Sequence, residues 1–158
     1  MRLRKLWKAG MLTMALAVAS VSTYPVYASS EIEERTDEET DEDSAEDTEY
    51  SKLRGVNLNY GNVKIVKLSS NEVALSGLTQ CHRTCSTVYL SMYLERKVNG
   101  VYSTYKLWDY TKSNATYLGK SMDVRVPSGY YYRLRGYHAA KNGSKESVTT
   151  LTQGILVK

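Results

Sequence analysis

Phenylalanine is absent from this 158-residue chain, and proline, cysteine and histidine occur only twice each. The scarcity of proline suits uninterrupted strands, because proline removes a ladder donor. After the first thirty or so residues no stretch carries the 3.6-residue apolar period of a helix. No G-x-S-x-G, H-E-x-x-H, P-loop or EF-hand pattern occurs. Acids are also scarce in the last two thirds of the chain, where Glu72, Glu95, Asp109, Asp123 and Glu146 are the only five after Tyr50. No motif sets two of them at the fixed separation that paired-carboxylate catalysis requires. These absences argue against an enzyme and against any cofactor.

Tyrosine is abundant, with 14 copies. It favours strands and can lie half-buried with its hydroxyl in water. Charge is strongly segregated. Residues 1–28 carry Arg2, Arg4, Lys5 and Lys8 and no acid. Residues 29–50 carry twelve acids against Arg35 alone, and residues 51–158 carry sixteen Lys and Arg against the five acids just named. The chain therefore divides into three. Residues 1–28 read as a secretory signal: a basic start, an apolar run from Ala9 to Val21, and small residues three and one before a cut after Ala28. That run is short for a bilayer span. Neither a lipidated cysteine nor a C-terminal anchor is in evidence, so the expected location is secreted, extracellular or loosely wall-associated. Residues 29–50 read as an acidic disordered linker, because a self-repelling tract with few apolar residues has little to bury. It serves as a spacer, as an electrostatic mask that folds back on the basic domain, or as a weak cation binder.

Residues 51–158 read as one domain. Strands are predicted over 62–68, 72–79, 85–95, 101–109, 115–126, 128–138 and 147–157. The clearest runs from Cys85 to Glu95, where Val88, Leu90, Met92 and Leu94 alternate with Tyr89, Ser91, Tyr93 and Glu95. Asn99-Gly100 marks a tight hairpin, Thr111 to Asn114 a loop, and Trp108 a core plug. In Gly129 to His138, alternation puts Tyr130, Tyr132, Leu134, Gly136 and His138 on one face and Tyr131, Arg133, Arg135 and Tyr137 on the other. About seven strands at this spacing predict an all-β, antiparallel, immunoglobulin- or fibronectin-type sandwich. Within it the 85–95 and 130–138 strands are neighbours, and Tyr130 or Tyr132 forms a tyrosine corner.

The runs T-V-Y-L-S-M-Y-L-E-R (Thr87 to Arg96), Asn99-Gly100, Trp108 and G-Y-Y-Y-R-L-R-G-Y-H (Gly129 to His138) resemble a family of small exported proteins from Gram-positive bacteria, known only as a domain of unknown function. The resemblance spans roughly Arg54 to Ile155. It implies a secreted β-domain and no activity, and it leaves the acidic tract unexplained.

Three features bear on function. Cys81 and Cys85 bracket His82 and can form a local disulfide across a tight turn, stay as two thiols, or ligate a metal; zinc normally asks for a second close-spaced pair. Cys85 with His138 is a weak candidate for a nucleophile and base, His138 reading better as a packed residue. Tyr89, Tyr93, Tyr131, Arg133, Arg135 and Tyr137 form an outward face suited to sugar rings and anionic polymers, or else simply cross-strand pairs that stabilise an exposed sheet. The expectation is a monomeric, non-catalytic module for anionic cell-wall polymer, glycan or membrane surface, with nucleic acid excluded by export and by the lack of any nucleic-acid motif. The alternative is an exported bacteriocin-like or effector protein whose acidic tract is a pro-segment cut near Gly55.

Overall fold

The computed structural model describes residues 39–51 and 55–158. The expected signal sequence and the first part of the acidic tract lie outside these residues. Eight strands follow in order: β1 (Glu39–Thr40), β2 (Ser44–Tyr50), β3 (Leu58–Ser69), β4 (Glu72–Val98), β5 (Val101–Arg125), β6 (Tyr130–Asn142), β7 (Ser144–Leu151) and β8 (Gly154–Val157). No helix occurs among the described residues.

The protein is all-β, but its strands do not divide into two separate sheets. They form a single mixed sheet, nearly closed on itself, in the order β1-β8-β6-β4-β3-β2, with β5 also on β4 and β7 also on β6. The longest strand, β4, explains the closure. Its first half pairs with β3 on one edge, from Val73↔Lys67 to Cys81↔Leu58. Its second half pairs with β6, from Thr87↔Lys141 to Arg96↔Tyr132, so the expected neighbours are indeed adjacent. The other edge of β4 carries β5 almost throughout. Between Gln80 and Cys85 the strand turns a corner, advancing five residues while β5 advances two. The β4–β5 pair is thus shared by both halves of the sheet, and β3 comes to lie face to face with β6.

The core follows from alternation. Val63 and Ile65 of β3, Val73 and Leu75 at the start of β4, Val88, Leu90, Met92 and Leu94 beyond its corner, and Leu134 of β6 are all essentially inaccessible to water. Trp108 is only half-buried and packs against this cluster from β5. Tyr132 is fully buried and donates its hydroxyl to the Pro127 carbonyl, five residues earlier in the chain, at 2.8 Å. The facing layers approach closely where two glycines stand. A β-carbon on Gly61 would overlap the His138 ring, and one on Gly136 would overlap His138, Thr150 and Val63.

Three expectations are corrected. The loop at Thr111 to Asn114 is strand, bent at Asn114, whose φ is 50°. The Cys81 to Cys85 segment is a bulged corner inside β4 rather than a turn between strands. The acidic linker is not a disordered tether over residues 39–50. β2 pairs with β3 over seven positions, Ser44↔Val66 to Tyr50↔Tyr60. Acids of the tract meet lysines of β3, Asp43 just before β2 with Lys67 at 2.9 Å and Glu46 with Lys64 at 3.3 Å. Self-repulsion predicts disorder only while the tract is considered alone. Opposite charges across the strand pair reverse its sign. Asp47 also accepts the Leu151 amide of β7 at 2.8 Å, bridging the seam where the sheet ends meet.

His138 is the polar centre of the core. Thr79 gives its single hydroxyl proton to the Tyr89 carbonyl at 2.9 Å, so it accepts from Nδ1–H of His138 at 3.0 Å. Nε2 is then left to accept from the Thr150 hydroxyl at 2.8 Å. Burial lowers the His138 pKa to about 4. The unfolded chain, titrating near 6.5, therefore binds the proton first as pH falls. Stability is complete above about pH 6.5 and declines towards pH 4, by about 3 kcal/mol in total. Urea melts of H138Q should lack most of this decline between pH 6.5 and 4.5; an unchanged decline would place its origin elsewhere. Gly136→Ala should cost about 1–3 kcal/mol in the same melts, because overpacking displaces the His138 ring.

Candidate functional site

The register of β4 against β6 decides what the outward face looks like. Ser91 lies opposite Tyr137, Tyr93 opposite Arg135, and Glu95 opposite Arg133. On the other edge of β4, Lys97 lies opposite Tyr102 of β5. All six residues chosen from the sequence therefore occupy one face of β4–β6. Tyr89, Tyr93, Tyr131, Arg135 and Tyr137 are half-buried, with one side against the sheet and one towards solvent.

Arg133 differs from the rest. It is 6% exposed, and so is Glu95. Glu95 is the residue the sequence reading did not assign to this face's chemistry. Its two carboxylate oxygens each take one guanidinium Nε, Arg133 at 2.7 Å and Arg135 at 2.7 Å. One acid thus holds two cations side by side that would otherwise repel. Arg133 is a structural member of the site rather than a free contact, because its guanidinium also lies 3.9 Å from the centre of the Tyr102 ring. Arg135 lies 4.0 Å from the Tyr93 ring and keeps more than a quarter of its side chain accessible. Further along, Lys145 stands 4.5 Å over Tyr89 and 5.4 Å from Tyr137. Lys141 and Lys145 are exposed. Arg133, Arg135 and Lys145 are each matched to a π-face, which orders both side chains and, at Arg135 and Lys145, does not consume all of the guanidinium or ammonium donors.

The acidic tract reaches this face at one end. β1 pairs in parallel with β8, Glu39↔Gly154. The Glu39 carboxylate accepts from Lys97 at 2.8 Å and from the Tyr102 hydroxyl at 3.3 Å. Burial, and then the nearby Glu39 charge, raise the Tyr102 pKa. Tyr102, Lys97, Glu95 and Lys145 were missed as members of the face. The Lys97–Tyr102 pairing was readable, since both flank the Asn99-Gly100 hairpin. The Glu95–Arg133 pairing was not, because it depends on the register between strands far apart in sequence.

The remaining candidates are dispersed. Both ring nitrogens of His138 are bonded to threonine hydroxyls in the core, while His82 is exposed at the β4 corner. Cys81 and Cys85 are buried as free thiols. Among the described residues no three His, Cys, Asp or Glu side chains converge as metal ligands.

Glu95→Gln should destabilise the fold by about 3–5 kcal/mol, because removing one member of a buried ion pair leaves charge uncompensated. Thermal melts check this, and a loss below about 1 kcal/mol would mean that the arginines find other compensation. The search of curated proteins finds no match to this sequence. One family profile does match, and it covers residues 18–154, so the acidic tract lies within the family's span and not outside it as the resemblance implied. The chain belongs to DUF6147, a family of unknown function.

Proposed function

We propose that this protein is an exported, monomeric, non-catalytic binding module that takes anionic polymers or acidic glycans of the cell envelope on the outer face of β4 and β6. The observation that carries this reading is the row of ring-stacked cations, Arg135 on Tyr93 and Lys145 on Tyr89 and Tyr137. Stacking and the shared Glu95 carboxylate order the row before any ligand arrives, which lowers the entropy cost of binding. Tyrosine faces between the cations suit sugar rings, and the free guanidinium and ammonium donors suit phosphate or carboxylate oxygens. The face-on packing of β3 against β6 supports placing the module near the immunoglobulin-like sandwiches.

The effector alternative requires the acidic tract to be removable near Gly55. The pairing of β2 with β3, and the Asp47 bond to Leu151, favour a structural role for that tract instead.

The test is sedimentation of the protein with isolated cell-wall sacculi and, separately, with anionic phosphatidylglycerol vesicles, from about 20 to 500 mM salt. Binding should fall steeply as salt screens the charges. The triple variant Arg135→Ala, Tyr137→Ala, Lys145→Ala should bind at least about tenfold more weakly at low salt, equivalent to about 1.4 kcal/mol. Salt-independent binding, or a triple variant equal to wild type, would sink the proposal.

A further inference from the structure

The corner of β4 carries a second chemistry, independent of the outer face. In a straight strand, residues four apart are separated by about 13 Å. A disulfide needs Cα atoms within about 7 Å. The corner removes that obstacle. His82, Arg83 and Thr84 loop out to solvent, while Cys81 and Cys85 both turn inward, 4% and 0% exposed. Cys81 lies opposite Leu58 of β3. The Cys85 thiol is directed at two carbonyls, Arg83 at 3.6 Å and Asn57 at 4.0 Å. Asn57 immediately precedes Leu58, so the two cysteines flank the same stretch of the neighbouring segment, and their thiols interact directly with each other.

That segment is itself pinned. The amides of Val56, Asn57 and Leu58 all donate to the Glu146 carboxylate of β7, at 3.1, 3.1 and 2.9 Å. Burial alone would raise the Glu146 pKa, but these three amides and the nearby Arg83 charge more than offset it, so the carboxylate is held ionised below its ordinary range. The His82 amide closes the corner from the other side, donating to the Asn57 carbonyl at 2.9 Å. Of the residues next to the two cysteines, Asn57 and Leu58 are buried and held by these bonds.

We propose that Cys81 and Cys85 are a redox pair whose state is set while the chain folds and is retained afterwards. In the presence of a small-molecule disulfide or a dithiol oxidase, the unfolded or partly folded chain forms the intrachain bond. The two thiols lose two protons and two electrons, one S–S bond forms, and the oxidant's own disulfide leaves as two thiols. Without such an oxidant the corner closes over two thiols that no longer exchange. Two physical reasons support the retention. Exchange requires a thiolate with access to the attacking disulfide, and both cysteines are buried, Cys85 completely. Burial, together with the adjacent Cys85 thiol, also pushes the Cys81 pKa up to about 12.

The experiment uses the full chain, unfolded and reduced in urea, then refolded either with a reduced and oxidised glutathione mixture or with reductant alone. Folding is followed by near-ultraviolet circular dichroism. Each sample is then denatured, alkylated with iodoacetamide and weighed intact. The glutathione-refolded chain should take up no alkyl groups, and the reductant-refolded chain two. A third sample, refolded in reductant and then held overnight as the native protein in oxidised glutathione, should still take up two. The bonded form should melt about 5–10 °C higher than the dithiol form. Cys81→Ser, weighed the same way, should leave Cys85 unable to form the intrachain bond. Two alkyl groups or a glutathione adduct in the first sample would overturn the pairing. Loss of alkylation in the third would overturn the retention.

Discussion

The backbone of β4 is the constraint on which the other strands depend. A peptide strand has two hydrogen-bonding edges, and a buried edge left unpaired is costly. β4 is long enough to give one edge almost wholly to β5 and to divide the other between β3 and β6. Pairing with both would force a flat sheet to splay, had the strand not turned at Cys81 to Cys85. The turn lets β3 fold over β6, and the side chains that then face each other are the apolar members of each alternating pattern. Core, closure and outer face all follow from that one bend.

Close approach across the core has its own requirements. Gly61 and Gly136 leave the space that the His138 ring fills. The ring is tolerated there because two threonine hydroxyls satisfy both nitrogens, so that a polar group contributes shape without an unmet bond. On the opposite side of β6 the problem is reversed, since Arg133 and Arg135 project from the same strand two positions apart. Glu95, delivered in register by β4, neutralises part of that charge, and the rings of Tyr102 and Tyr93 cover the rest. The result is a basic face whose two arginines are held by contacts within the fold.

The acidic tract alters the picture of charge segregation. At least from Glu39 onward, the acids are distributed around the basic sheet rather than held apart from it. Glu39 meets Lys97, Asp43 meets Lys67, and Glu46 meets Lys64. Exposed pairs of this kind each contribute little, about 0–1 kcal/mol. The larger contribution comes from the backbone ladder of β2 on β3 and from Asp47 across the seam, which shorten the open edge of the sheet.

The sequence by itself determined the class of the fold, most of its strands and the two-faced character of β4 and β6. Those properties follow from local alternation, turn chemistry at Asn99-Gly100 and strand propensity, which act between near neighbours. It also indicated the aromatic and cationic residues of the outer face, since Tyr131, Arg133, Arg135 and Tyr137 share one parity. Tertiary structure alone decided three things. It set the register that places Glu95 beneath two arginines and so turns Arg133 from a contact residue into a support. It converted the Cys81 to Cys85 segment from a turn into a corner that brings two sulfurs together. It drew residues 39–50 into the sheet, where lysines on β3 and β4 offset a repulsion that is decisive in an isolated tract. In each case the deciding partner lies on a strand distant in the chain, and its influence becomes visible only when backbone hydrogen bonding has fixed which residues stand opposite one another.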